Sequence, residues 1–66
     1  MVELIVNGER KELDARTVSD VIQLFGLQAN MVIVELNGQI PHRDQWNITE
    51  VQPGMKLEIV HFVGGG

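Results

Sequence analysis

The residues with the sharpest chemical meaning stand last: His61-Phe62-Val63-Gly64-Gly65-Gly66, a hydrophobic stretch that runs into three glycines and a carboxylate. Glycine has no side chain to bury and loses the most conformational freedom when ordered, so this end adds nothing to the stability of a fold. It can, however, pass through a channel too narrow for any side chain. At 3.3–3.6 Å per residue, the stretch from Phe62 to Gly66 reaches roughly 17 Å. Such a tail could deliver the Gly66 carboxylate to a buried site on another protein. A carboxylate is a poor acyl donor. Joined to AMP as a mixed anhydride it gains a good leaving group, and a sulfur or nitrogen nucleophile can then attack. An inert chain end is the alternative, since termini are where disorder concentrates, and the glycines alone leave both readings open.

The remaining reactive side chains are sparse. His42 and His61 are the only histidines, and no cluster of acidic residues stands at ligand spacing around them, so no metal is expected. His61, beside the tail, is a candidate to orient it or to touch a partner. Asp14 with Asp20, or Glu3 with Glu58, could be imagined as an acid and base, but neither pair has a pocket motif around it, and a solvated surface accounts for them. No glycine belongs to a phosphate-binding loop, so no nucleotide site is expected in this chain and no bound cofactor. With no cysteine there is no disulfide, no thiolate metal site, no thiol nucleophile and no persulfide carrier. Sulfur chemistry, if any, must use another group.

A chain of 66 residues is one small domain near the lower limit for folding alone, and it must depend on a well-patterned core. The 44% hydrophobic content permits one. No apolar run approaches the ~20 residues needed to span a bilayer, and no signal peptide is evident, so a soluble, cytoplasmic protein with no membrane partner is expected. Nine acidic against five basic residues give a net charge of −4. That argues against nucleic acid, which asks for a basic stripe, and fits either simple solubility or steering toward basic partner surfaces.

Elements to position the tail can be read in order. Val2, Leu4 and Val6 alternate onto one face of a strand, Asn7-Gly8 is a strong hairpin signal, and residues 9–13 read as the return strand. Thr17 can cap a helix with Asp20 at its third position; Val18, Val21, Ile22 and Phe25 make one buried stripe. Gly26 is placed to end that helix, with Leu27 folding back onto its last turn. Residues 31–36, "MVIVEL", carry apolar residues on both faces and so read as a central strand. Asn37-Gly38 is a turn, and Gln39-Ile40 a short edge strand stopped by Pro41. In the polar stretch 42–52, Trp46, Ile48 and Val51 read as anchors. The last strand is expected over residues 55–62.

This order predicts an α+β fold with a mixed sheet of four to five strands and one main helix on one face. With the first and last strands side by side at the centre it is the β-grasp, or ubiquitin-like, fold. Residues 1–63 would form the domain and residues 64–66 a flexible tail. In the last strand Val60 and Phe62 fall on the face away from the helix, together with Ile5 of the first strand. An uncovered apolar patch there points to a partner-binding site, unless the 42–52 loop covers it.

"VIVELNGQIPHRDQW" (32–46), "LEIVHFVGGG" (57–66), the opening "VNG" and the helix "TVSDVIQLFGL" together resemble the ThiS family of sulfur carriers from bacterial thiamine biosynthesis. The resemblance covers essentially the whole chain. A terminal Gly-Gly is common to ubiquitin-like proteins; Glu58-Ile59-Val60 and the spacing from Asn37 to Trp46 are more specific. One departure is Pro53-Gly54-Met55, where an acidic residue often follows the turn glycine. The resemblance implies a β-grasp protein that is a co-substrate and not an enzyme. A separate ATP-dependent, ThiF-type activating enzyme would adenylate Gly66. Sulfur relayed from a cysteine desulfurase would convert the acyl-adenylate to a thiocarboxylate, and thiazole synthase would receive that sulfur. Gly64 and Gly65 would be the threading tail. Two alternatives share the fold: a small subunit of molybdopterin synthase, and a ubiquitin-like interaction module whose tail is inert.

Overall fold

Two Asn-Gly dipeptides shape the sheet. Asn7 and Gly8 have φ of 50° and 82°, and Asn37 and Gly38 have φ of 49° and 85°. Positive φ at both central residues is the type I′ turn, whose twist matches that of paired strands. The computed structural model describes residues 1–62. In it the first turn joins β1 (Val2–Val6) to β2 (Glu9–Leu13) as an antiparallel hairpin, with Val2 opposite Leu13 and Val6 opposite Glu9. The chain then forms α1 (Val18–Leu24), β3 (Val32–Leu36) and β4 (Lys56–His61), with short 3₁₀ turns at Ala29–Met31 and Arg43–Gln45.

Helix α1 starts and stops where its sequence directs. Thr17 Oγ1 accepts from the Asp20 N–H, and the Asp20 carboxylate accepts from the Thr17 N–H, closing a capping box. At the other end Gly26 donates to Gln23 O and Leu27 donates to Ile22 O, the paired bonds of a Schellman motif with Gly26 at φ 67°. The helix lays Val18, Val21 and Ile22 against Leu4, Val6, Val32, Val34 and Leu57 of the sheet, and Trp46 and Val51 close the core. Indole Nε1 of Trp46 donates to Pro41 O at 3.3 Å, which meets its one polar need.

The strand order is β2-β1-β4-β3, with β1 and β4 parallel at the centre and antiparallel pairs outside them. One helix on one face of this four-stranded mixed sheet is the expected β-grasp arrangement. Three expectations need correction. β3 is an edge strand, not a central one; its second apolar face is Ile33, which stays 42% exposed. Gln39-Ile40 is not a strand. Gln39 pairs only with Leu36 across the Asn37-Gly38 turn, and Ile40 lies in solvent. Ile48 is no anchor, being 66% exposed while Trp46 and Val51 on either side are buried. The free edge of β3 is partly covered: Gln39 holds both backbone groups of Leu36, and Arg43 Nη2 donates to Val32 O at 3.2 Å.

Candidate functional site

β4 places the end of the chain. Its inner side gives Leu57 to the core and half-buried Ile59 beside it; its outer side carries Lys56, Glu58 and Val60. The register sets Val60 opposite Ile33 and Glu58 opposite Glu35. The Phe62 N–H donates to Met31 O at 3.1 Å, so the pairing continues one residue past the strand. Val60 is 55% exposed and Phe62 38%, and Ile33 joins them. The outer face therefore turns from charged to apolar in the direction of the tail, and at its β3 edge Ile33 also lines a cleft of about 240 Å³ with Ile40, Pro41, His42, Arg43 and Trp46.

The sequence-derived partner residues do not form one patch. Ile5 lies on the outer face, but its parallel partner is Lys56, four residues or about 13 Å from Val60, with the Glu58–Glu35 row between. His61 alternates to the helix side, opposite Val32. There it lines an open groove of about 300 Å³ with Val6, Asn7, Phe25, Leu27 and Ile59. Ile33, by contrast, belongs to the patch and was hidden in the sequence by the central-strand reading. Gly64, Gly65 and Gly66 lie outside the described residues.

Two further side chains hold the strand from its two edges. Ile59 N–H donates to Asn7 Oδ1 at 2.7 Å, and Asn7 Nδ2 donates back to Ile59 O at 3.3 Å. On the other edge Lys56 N–H donates to Asn37 Oδ1 at 2.9 Å. The only signal for either role was the Asn-Gly dipeptide, which the turn already explained.

The other titratable groups have structural work. Asp20 accepts from the Arg16 and Thr17 N–H groups at 2.9 and 3.1 Å, and these bonds, Arg16 first, hold its carboxyl below the usual 3.8. A group so engaged is a cap and not a general acid. A polar cleft of about 480 Å³ beside it is lined by the same cap residues with Gln23, Asn47, Ile48 and Glu50, away from β4. Among the described residues no three His, Asp or Glu side chains gather as metal ligands would. No helix among them is long and apolar enough to cross a membrane.

The arrangement is a platform with an apolar end leading into a glycine tail, and the comparisons with known proteins bear on what it carries. Residues 4–66 match the sequence profile of the ThiS family. The chain belongs to the ThiS family. It is 33% identical to the sulfur carrier protein ThiS of Bacillus subtilis over the whole length of both. It is 36% identical, over 98% of its own length, to a thiazole synthase of Paramagnetospirillum magneticum, of which it spans only 20%. A crystal structure of ThiS from Geobacter metallireducens superposes with a TM-score of 0.82 at 33% identity, covering 98% of this chain and all of that one. The solution structure of a thiamine biosynthesis protein from the same organism gives 0.79 at 33% identity, covering 98% and 88%. The Geobacter metallireducens ThiS thus shares the described fold.

Proposed function

We propose that this chain is a sulfur carrier of thiamine biosynthesis, a small protein co-substrate whose Gly66 carboxylate transports the sulfur. The observation that carries this reading is the family match, which runs unbroken through the β-grasp domain to Gly66. The full-length likeness to a sulfur carrier protein ThiS supports it. The absence of cysteine is consistent with sulfur held on a carboxyl carbon and not on a thiol.

The chemistry follows from the acyl group. A ThiF-type activating enzyme binds ATP; this chain binds no cofactor. The Gly66 carboxylate attacks the α-phosphate, pyrophosphate leaves, and an acyl-adenylate forms. The terminal sulfur of a persulfide charged by a cysteine desulfurase adds to the acyl carbon and expels AMP, leaving an acyl disulfide whose S–S bond a thiol reductant then cleaves. The product is a thiocarboxylate, which gives its sulfur to thiazole synthase as the thiazole ring is built. A thiazole synthase that contains a stretch similar to this chain supports that acceptor. Use of ATP fits a cytoplasmic setting. Val60, Phe62 and Ile33 form the docking end of the platform, with Ile5 farther along the same face and His61 on the groove side.

Intact mass spectrometry tests the reading. After incubation with a ThiF-type enzyme, ATP and a sulfur source, the expected shift is one oxygen replaced by sulfur, confined to the peptide bearing Gly66. No shift, with the same enzyme active on a known carrier, makes the tail inert and leaves an interaction module.

A further inference from the structure

We propose that Asn7 is a positioning residue for the tail: its carboxamide stands in for a missing strand and fixes the direction in which β4 leaves the sheet. β1 pairs with β4 only at Ile5↔Lys56 and Val6↔Leu57 before the chain turns away at Asn7 and Gly8. The last backbone bond from that side is Asn7 N–H to Leu57 O, at 2.8 Å. The next rung belongs to Ile59, whose N–H and C=O point to where β1 no longer runs. The Asn7 side chain fills that rung. A primary carboxamide offers the same donor and acceptor as a peptide unit, and Asn7 uses both on one residue, accepting from Ile59 N–H at 2.7 Å and donating to Ile59 O at 3.3 Å across 52 positions of sequence. The opposite side of β4 is held by β3 as far as Phe62. With Asn7 in place the strand is bonded on both edges up to Ile59, immediately before Val60, Phe62 and the tail.

Asn37 is a built-in control. It occupies the same position of the same turn type, and its Oδ1 also accepts a β4 backbone N–H, but at Lys56, the first residue of the strand. Both asparagines stabilise β4; only Asn7 does so at the end that leads to Gly66. Loss of Asn7 therefore loosens the docking end from which the tail departs, while loss of Asn37 loosens the far end.

The functional half of this inference rests on the carrier reading, and the test separates the two. Asn7→Gly and Asn37→Gly remove each side chain and keep a residue that tolerates positive φ, so both turns survive. In the free proteins, amide hydrogen exchange at Ile59, Val60 and Phe62 should accelerate in Asn7→Gly and not in Asn37→Gly. In sulfur loading by the activating enzyme, Asn7→Gly should raise the KM for the carrier about fivefold, the low end for two lost hydrogen bonds, and leave kcat unchanged. Asn7→Asp keeps the acceptor for Ile59 N–H and should restore part of both effects. It also serves if the glycine variant does not fold. Unchanged exchange at Ile59–Phe62 in Asn7→Gly overturns the proposal whatever the activity. So does an equal rise in KM for the two glycine variants, which would make the effect one of general stability. If the wild-type chain takes up no sulfur, the carrier reading falls and the exchange rates alone decide whether Asn7 is the clamp.

Discussion

The two faces of the sheet are made from alternate residues of the same strands, yet they follow different rules. On the inner face Leu4, Val6, Val32, Val34 and Leu57 are buried under α1 and the Trp46–Val51 segment. On the outer face Ile33, Val60 and Phe62 are no less apolar, yet each stays exposed among the described residues. The other end of that face is charged, with Glu3 beside Glu12 and Glu35 beside Glu58 as cross-strand neighbours, an arrangement that costs stability. Burial explains those five residues of the first face. It does not explain the second, whose pattern makes sense as a surface for another protein. The inner face holds the platform together; the outer face leaves apolar side chains in solvent.

Breaking the inner face should produce the largest change in stability. Leu57 is 1% exposed and sits in the central strand. Leu57→Ala should cost about 2–5 kcal/mol of unfolding free energy in denaturant titration, enough to unfold much of so small a domain. A loss below about 1 kcal/mol would mean the two faces are not energetically distinct. Next comes the element that covers the inner face. Thr17→Ala removes the cap of α1 and should cost about 1 kcal/mol. Acid probes the same cap. The Asp20 carboxyl is held below 3.8 in the folded chain, so its contribution is fully present above that value and is lost as pH falls through the depressed value. Asp20→Ala should therefore be less stable than the wild type at neutral pH, and the difference should shrink in acid. A difference that persists to the lowest measurable pH would show that the carboxylate charge is not what stabilises the cap.

The smallest effect on stability belongs to the outer face and sharpens the comparison most. Phe62→Ala should leave the denaturation midpoint nearly unchanged, yet weaken binding to the activating enzyme about tenfold, as loss of an aromatic anchor does. Calorimetry that finds unchanged affinity would detach the apolar end from docking.

The local devices were legible in the sequence because each is written in a few adjacent residues. Asn7-Gly8 gave the hairpin, Thr17 with Asp20 the capping box, and Gly26-Leu27 the helix stop. What was not legible depends on pairings distant in sequence. "MVIVEL" read as central because apolar residues on both faces usually mean burial on both faces; only the order of strands shows that Ile33 lies at an edge, opposite Val60. Ile48 read as an anchor by hydrophobicity, but its neighbours Trp46 and Val51 take the core positions. Val60 and Phe62 were correctly placed on the outer face by period-two alternation. Ile5 was assigned to that face as well, but the register that separates it from them could not be read from alternation alone. The Asn7 carboxamide was missed for the same reason: its partner Ile59 is far away in sequence.

The central pair of the sheet joins β1 to β4, the first strand to the last. Its contacts can form only after β4 exists, since they pair residues as far apart in sequence as Ile5 and Lys56. A nascent chain that has made β1, β2 and α1 has no β4 to pair with, and the docking end, built from β3 and β4 together, does not yet exist. Gly64, Gly65 and Gly66 follow in sequence the strand that completes the sheet. The fold thus ties docking to folding: a copy that lacks β4, or is unfolded, presents no assembled platform, and a partner that reads the platform first would pass it by.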